Sequence, residues 1–250
     1  MLKTLGIVQA CFCSPLFRAN AARRLNGKPL LEWVVRRVTD SMRLGGVIVV
    51  AGEGIDYRSL CKLIPADVPI FLSSAPDMLG RVAQALEQYP AESVVQLHGD
   101  NMFADPVLID RLVNVGESIE HCDYVSFGSR DGRPAVLSPV GVYAVEWFRA
   151  RALRRANRLA KDPIDRQQVT RYIYTHAEQF NVKWIPAPEA IDRDDVRLTI
   201  ADDDDWDNAL AIFDALGPEA LDWQRIARFL HHQPAMRKRM AARNRACAES

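Results

Sequence analysis

The chain has 250 residues, a length that fits one compact domain with an appendage. Lys plus Arg and Asp plus Glu each number 32, a formal net charge of +0, so the cationic excess on which phosphate-backbone binding depends is missing, which argues against a dedicated nucleic-acid binder. With 48% hydrophobic and 26% charged residues the composition is that of a globular protein, and it excludes disorder, collagen-like repeats and a disulfide scaffold.

Residues 4–10 form a short apolar run bounded by polar residues, which predicts a buried strand. Lys3 ahead of Leu5-Gly6-Ile7-Val8 imitates the start of a signal peptide, but Gln9 and the lack of a small-residue cleavage site favour the strand. A long connection follows, residues 10–28; ordered loops of that length inside compact domains are more often functional than accidental. Leu30, Leu31, Val34, Val35 and Val38 then repeat with helical spacing behind Pro29, predicting an amphipathic helix.

Residues 46–51 read as the second strand, and the alternation continues. Helices are predicted near 57–63, 76–88 and 106–115, and strands at 68–72, 93–98 and 124–127. Strands alternating with helices imply parallel pairing through right-handed crossovers, hence an α/β sheet covered on both faces. Beyond Phe127 the pattern weakens: 128–139 is turn-rich, 140–143 is a candidate strand, and 145–159 reads as an Arg-rich amphipathic helix. This region is expected to be an insertion or dimerisation arm. A strand at 182–186, the segment Arg197-Leu198-Thr199-Ile200 and a helix at 205–216 restore the α/β rhythm, and 221–246 is a basic helical tail whose simplest reading is a solvated surface helix. No run approaches the roughly 20 apolar residues of a membrane helix. The five cysteines, Cys11, Cys13, Cys61, Cys122 and Cys247, are odd in number and irregularly spaced, which favours a reducing cytoplasm over a secreted framework.

Ligands of such sheets collect beyond the carboxyl ends of the strands, which singles out the 10–28 loop and the Gly99-Asp100 turn. Asp100 reads either as a carboxylate for a hard divalent cation or as a turn cap. Gly27-Lys28-Pro29 reads either as a phosphate-attracting helix entrance or as a surface turn. The Cys11-x-Cys13 pair has no second pair at zinc-ligand spacing, so buried thiols are favoured. His98 is an acid–base candidate or a packed strand-end residue, and His231-His232 lies in the tail as a solvated pair. Asp202-Asp203-Asp204-Asp205 reads equally as a cation site and as dipole partners of the helix that follows.

The order and spacing of several motifs go further. Gly6-Ile7-Val8-Gln9-Ala10, Asn26-Gly27-Lys28-Pro29-Leu30-Leu31-Glu32, Asp77-Met78-Leu79-Gly80-Arg81, Gly99-Asp100 with Ala104-Asp105-Pro106, Val169-Thr170-Arg171-Tyr172-Ile173-Tyr174 and Asp195-Val196-Arg197-Leu198-Thr199-Ile200 span nearly the whole chain. Together they resemble the cytidylyltransferase family of spore-coat polysaccharide biosynthesis proteins and synthetases of CMP-activated acid sugars. The resemblance implies a Rossmann-like, three-layer, mostly parallel sheet of the nucleotide-diphospho-sugar transferase type. It places the α/β domain at 1–217, the arm at about 133–190 and a packed C-terminal helical extension at 218–250. It also implies CTP or another nucleotide and a sugar as substrates, Mg²⁺ as cofactor and a homodimer with Trp147, Phe148, Tyr172 and Trp184 as apolar anchors, with neither nucleic acid nor membrane as partner. Carried over by residue, Lys28 and Asp100 are the expected catalytic groups. Gln9, Ala10, Ser14, Arg18, Gly27, Asp77, Arg81, Gly99 and Asn101 are expected to bind nucleotide or substrate, and Asp100 and Asp202 to hold the metal.

The sequence also departs from the family pattern. Members carry a Q-A-R-x-G-S-x-R-x-x-x-K loop around the triphosphate; here its first Arg is Cys11, its Gly is Cys13, its second Arg is Leu16 and its Lys is Asn20. The family's second metal carboxylate falls on Ala201, with Asp202 one residue late, and its Glu-His pair falls on Gln167-Gln168. Three readings therefore remain: an active cytidylyltransferase with an altered loop, a catalytically degraded relative that binds a nucleotide, sugar or protein, and a different chemistry on the same scaffold through Cys11, Cys13 or His98.

Overall fold

The computed structural model describes every residue except Cys13, Ile55, Asp131, Arg133, Glu249 and Ser250, and the backbone alone of Ala248. In chain order the elements are β1 (Leu2–Ala10), α1 (Pro15–Ala22), β2 (Arg24–Leu25), β3 (Lys28–Pro29), α2 (Leu30–Thr39), β4 (Gly46–Gly52), α3 (Tyr57–Cys61), β5 (Ile70–Ser73), α4 (Met78–Gln88), β6 (Ala91–His98), α5 (Pro106–Ser118) and β7 (Tyr124–Gly128). They are followed by β8 (Glu146–Arg149), α6 (Ala150–Leu159), α7 (Pro163–Gln167), α8 (Arg171–Thr175), β9 (Val182–Pro186), α9 (Asp203–Leu216), α10 (Trp223–His231) and α11 (Pro234–Ala248).

Seven strands form one sheet in the order β5-β4-β1-β6-β8-β7-β9. β1 lies at its centre because its side chains are apolar on both faces: Leu5 and Ile7 pack towards α4, while Val8 and Ala10 pack towards α2. Helices α2, α5, α9 and α10 cover one face, and α4, α6 and α8 cover the other, giving three layers. The expected α/β architecture is thus present.

One strand breaks the expected parallel pairing. β8 runs antiparallel to both β6 and β7 and lies between them. The sequence reading takes 145–159 as one helix, but Glu146–Arg149 is a strand and the helix begins at Ala150. Trp147 and Phe148 point to opposite faces and are both fully buried, one in each core cluster, a period-2 pattern too short to register beside the Arg-rich helical repeat. Residues 140–143, the candidate strand, form turns.

The 133–190 stretch is built into the sheet. Arg133 lies outside the described residues; the remainder supplies β8 and β9 and lays α6 against α4, β6 and β8. Trp147 and Phe148, expected as dimer anchors, are corrected to core residues, and only Tyr172 and Trp184 of that set reach the surface. The tail is likewise packed: Ile226, Leu230, Met236 and Met240 are buried against the domain. No described helix is long and apolar enough to cross a membrane.

Trp147 packs on α5 at Gly116, where a methyl group would lie 2.4 Å from its ring. Alanine favours a helix over glycine by about 1 kcal/mol, but overpacking a rigid core costs about 1–3 kcal/mol. Gly116→Ala is therefore expected to lower unfolding stability, by up to about 2 kcal/mol in urea titrations, despite the better helix former.

Candidate active site

The carboxyl ends of β1, β4 and β6 lie side by side, with Ala10 opposite Ala51 and Gln9 opposite His98. Two hollows open there. The first, about 540 Å³, lies beyond β1 and β4 and is lined by Phe12, Arg18, Gly52, Glu53, Asp56 and Arg81 among others. The guanidinium of Arg81 rests against Gly52, where a Cβ would lie 2.9 Å from it, and its Nε donates to the Ala75 carbonyl at 3.1 Å. Arg18 projects from α1, so two cations from different elements face one cavity. The second hollow, about 1030 Å³, is lined by Asp100, Ser138, Pro139, Thr199, Ala201 and residues of the 192–197 segment and α11.

Asp100 is placed by its neighbours. The Gly99 N–H donates to the Gln9 carbonyl at 2.9 Å, and a methyl group at Gly99 would lie 2.9 Å from both Phe17 and Leu31. Asn101 is buried and donates its amide to the Ala144 carbonyl at 3.1 Å. The half-buried Asp100 carboxylate between them makes no side-chain hydrogen bond or ion pair among the described residues. A half-buried carboxylate at the strand ends with no side-chain partner among the described residues is compatible with a phosphate-bound cation.

Comparison with known proteins identifies the family of the chain. Residues 5–222 match the family model described as cytidylyltransferase. The chain belongs to the cytidylyltransferase family. The spore coat polysaccharide biosynthesis protein SpsF of Bacillus subtilis is 27% identical over 219 residues, 85% of this chain and 87% of that one. Among solved structures, a cytidylyltransferase from Leptospira borgpetersenii superposes with TM-score 0.81 at 19% identity, covering 94% of this chain and 97% of that one. A CMP:2-keto-3-deoxy-manno-octonic acid synthetase complexed with CTP superposes with TM-score 0.64 at 11% identity, over 85% and 99%. These two structures share the fold.

Within this member of the family, the residues expected to bind nucleotide or substrate divide into those that face the hollows and those that build the frame. Arg18 and Arg81 face the first hollow and Asp100 the second. Gln9 is buried, and its amide donates to Gln96 at 2.5 Å instead of facing a hollow. Ala10 and Gly99 are buried backbone positions, and Ser14 caps α1 through the Phe17 N–H at 3.3 Å. Asp77 caps α4 through the Gly80 N–H at 2.8 Å and receives two hydrogen bonds from Arg166, at 2.7 and 3.1 Å. Asn26 and Gly27 both have positive φ, 46° and 78°, the mark of a two-residue hairpin turn joining β2 to β3. Lys28 follows that turn, with its ammonium 5.4 Å from the centre of the Trp33 ring and outside both hollows.

The altered family loop is held by apolar contacts. Phe12 and Phe17 are buried and meet edge to face at 5.2 Å, and Phe17 closes over Gly99. Cys13 lies outside the described residues. Asp202 caps α9 through the Asp205 N–H at 3.0 Å and pairs with Arg243, so its carboxylate is already engaged. Among the described residues no group of three His, Cys, Asp or Glu side chains is arranged to hold a metal. An Asp100 carboxylate of this kind fits a divalent cation shared with phosphate oxygens.

Several residues at these hollows escape sequence reasoning. Glu53 and Asp56 enter the first hollow from the β4–α3 connection, while Arg130, Asp192 and Arg245 enter the second from segments far apart in sequence. Arg245 was legible only as one cation of a basic tail. Asp195, also on this cleft, is held below the usual carboxylate range, chiefly by its hydrogen bond from Arg193 and then by Arg237, against an opposing effect of burial. A depressed carboxyl contributes stability above its unfolded value near 3.9, and that contribution is lost as pH falls through the folded value. Thermal melts from pH 7 to pH 3 should show acid destabilisation below about pH 4, with a shallower slope in Asp195→Asn.

Proposed function

We propose that this protein transfers the cytidylyl group of CTP to a sugar hydroxyl or acid-sugar anomeric oxygen, activating the sugar for surface polysaccharide biosynthesis. One observation carries this reading: the Asp100 carboxylate, without a side-chain partner among the described residues, lies in the second hollow at the strand ends while the first presents Arg18 and Arg81. The polysaccharide role named for SpsF and the CTP held by the acid-sugar synthetase support the choice of substrates.

In this reading the sugar oxygen attacks the α-phosphorus of CTP, the bond from that phosphorus to the α–β bridging oxygen breaks, and pyrophosphate leaves. The hydroxyl proton passes to water in the open cleft. Such transfer rests on positioning and charge stabilisation more than on covalent chemistry by the protein. Arg18 and Arg81 hold the phosphates in place of the cations missing from the family loop, and Phe12 offers an apolar wall beside them. Gly99 and Asn101 keep the Asp100 carboxylate fixed. Asp100 would hold Mg²⁺ together with phosphate oxygens, and the ion would supply charge neutralisation at the reacting phosphoryl group. Lys28 joins this set when a bound nucleotide draws its ammonium from Trp33, and Asp202 joins it on releasing Arg243.

A second reading has its own support. Cys11, Leu16 and Asn20 stand where the family loop carries cations, and the packed rings of Phe12 and Phe17 hold the loop by apolar contact. This favours a relative that binds without transferring. Pyrophosphate release measured with CTP, Mg²⁺ and a panel of acidic and neutral sugars separates the two. Transfer predicts release above background, a loss of at least about 100-fold in Asp100→Ala and a raised KM for CTP in Arg81→Ala. No release selects the relative that does not transfer, and a CTP-induced rise in Tm then tells whether it still binds the nucleotide.

A further inference from the structure

One wall of the Asp100 cleft comes from outside the matched family region. Ala241, Asn244 and Arg245 of α11 line it, whereas the family match ends at residue 222. These positions, spaced i, i+3 and i+4, share one helix face. The helix is fixed by the segment it covers: Arg237 pairs with Asp195 at 2.6 Å, and Arg243 pairs with Asp202. Asn244 donates to the carbonyls of Asp194 and Val196 at 2.9 and 3.0 Å, and Met240 is fully buried beneath. Arg245 follows directly on the last of these anchors.

The other charges of the cleft are already satisfied. Asp192 accepts from the Tyr143 hydroxyl at 2.7 Å and the Arg130 N–H at 2.6 Å, and Asp194 meets the Arg130 guanidinium at 3.4 Å. Asp195 is shared by Arg193 and Arg237, and Arg197 pairs with Asp205 at 2.7 Å. Arg245 and Asp100 are left, each without an ion pair among the described residues. Arg18 and Arg81 line the first hollow, beyond β1 and β4, whereas Arg245 lines the second with Asp100.

We propose that Arg245 forms an anion subsite for the second substrate and selects a sugar bearing a carboxylate or phosphate group. This rests on reading the Asp100 cleft as the acceptor side of a transfer site. A guanidinium suits both groups because its paired N–H donors match two oxygens of either. The role is one of specificity, since Arg245 recognises a substituent away from the reacting oxygen.

The test is calorimetric titration of the full chain, saturated with CMP, using N-acetylneuraminate and glucuronate as carboxylate probes, glucose 6-phosphate as phosphate probe and glucose as neutral control, with Mg²⁺–CTP titrated separately. The expected result is saturable binding of at least one anionic probe and not of glucose. That binding should weaken at least tenfold in Arg245→Ala and recover in part in Arg245→Lys, with CTP affinity and Tm unchanged. The responding probe class identifies the recognised group. The proposal is overturned if no anionic probe binds the wild-type chain better than glucose, if Arg245→Ala binds it equally well, or if the variant also loses Tm and CTP affinity. Arg245-dependent sugar binding without any CTP binding would instead retain the subsite and remove cytidylyl transfer.

Discussion

The absence of room beside Gly99 governs the geometry of the site. β6 can follow β1 one residue past its last side chain only because nothing projects from that position into Phe17, Leu31 and the Gln9 carbonyl. The Gly99 N–H then extends the ladder to Gln9, and the chain turns sharply with Asp100 at its apex. Asn101 closes the far side on Ala144. The same contact ties the β1 loop to the turn, because Phe17 belongs to α1 and Phe12 packs on Phe17. A loop whose family cations are replaced by Cys11, Leu16 and Asn20 thus stays docked through the burial and packing of Phe12 and Phe17.

Behind this turn, on the other face of the sheet, a polar chain crosses four strands. Gln9 donates to Gln96, Gln96 donates to Glu146 at 2.7 Å, and Glu146 also accepts from the Tyr124 hydroxyl at 2.6 Å and from Thr170. The fully buried Tyr124 phenol is pushed well above its ordinary pKa, first by burial and then by the neighbouring Glu146 carboxylate, so it remains a donor. A buried polar chain of this kind is favourable only when each member is satisfied, and here it links β1, β6, β8 and β7 to the residue that precedes α8. The antiparallel insertion of β8 makes it possible by bringing Glu146 opposite Gln96. Gln9 therefore acts on the site from behind, by fixing the end of β1.

The division of charge between the two hollows follows from chain topology. Arg18 and Arg81 arise from helices that follow β1 and β5, whereas the second hollow is closed by the 192–202 segment and by the C-terminal helix clamped upon it. In that clamp Asp195 and Asp202 are engaged by Arg237 and Arg243, which lie six residues apart on α11. Asp195 and Asp202 are thus engaged in the clamp, whereas the Asp100 carboxylate has no side-chain partner among the described residues.

Much of the fold was legible because periodicity is a local property. β1, β4 and β6 are apolar runs, α2 and α4 carry apolar stripes at helical spacing, and Asp77, Asp105 and Asp202 stand where helices begin. The family motifs were legible for the same reason, since each is a short contiguous string. β8 was not, because four residues of period 2 adjoin a much stronger helical repeat, and its direction depends on which strands flank it. The fate of the site residues was equally hidden. Whether Asp77 meets Arg166 or Asp202 meets Arg243 is decided by contacts across 89 and 41 residues of chain, and whether Arg245 meets an acid among the described residues is decided by packing that local pattern does not encode. The sequence by itself determined the alternating architecture, the family and the Gly99-Asp100 turn; only tertiary packing decided which charges remained free for a ligand, because a charge is free only after every neighbour brought near by folding has been counted.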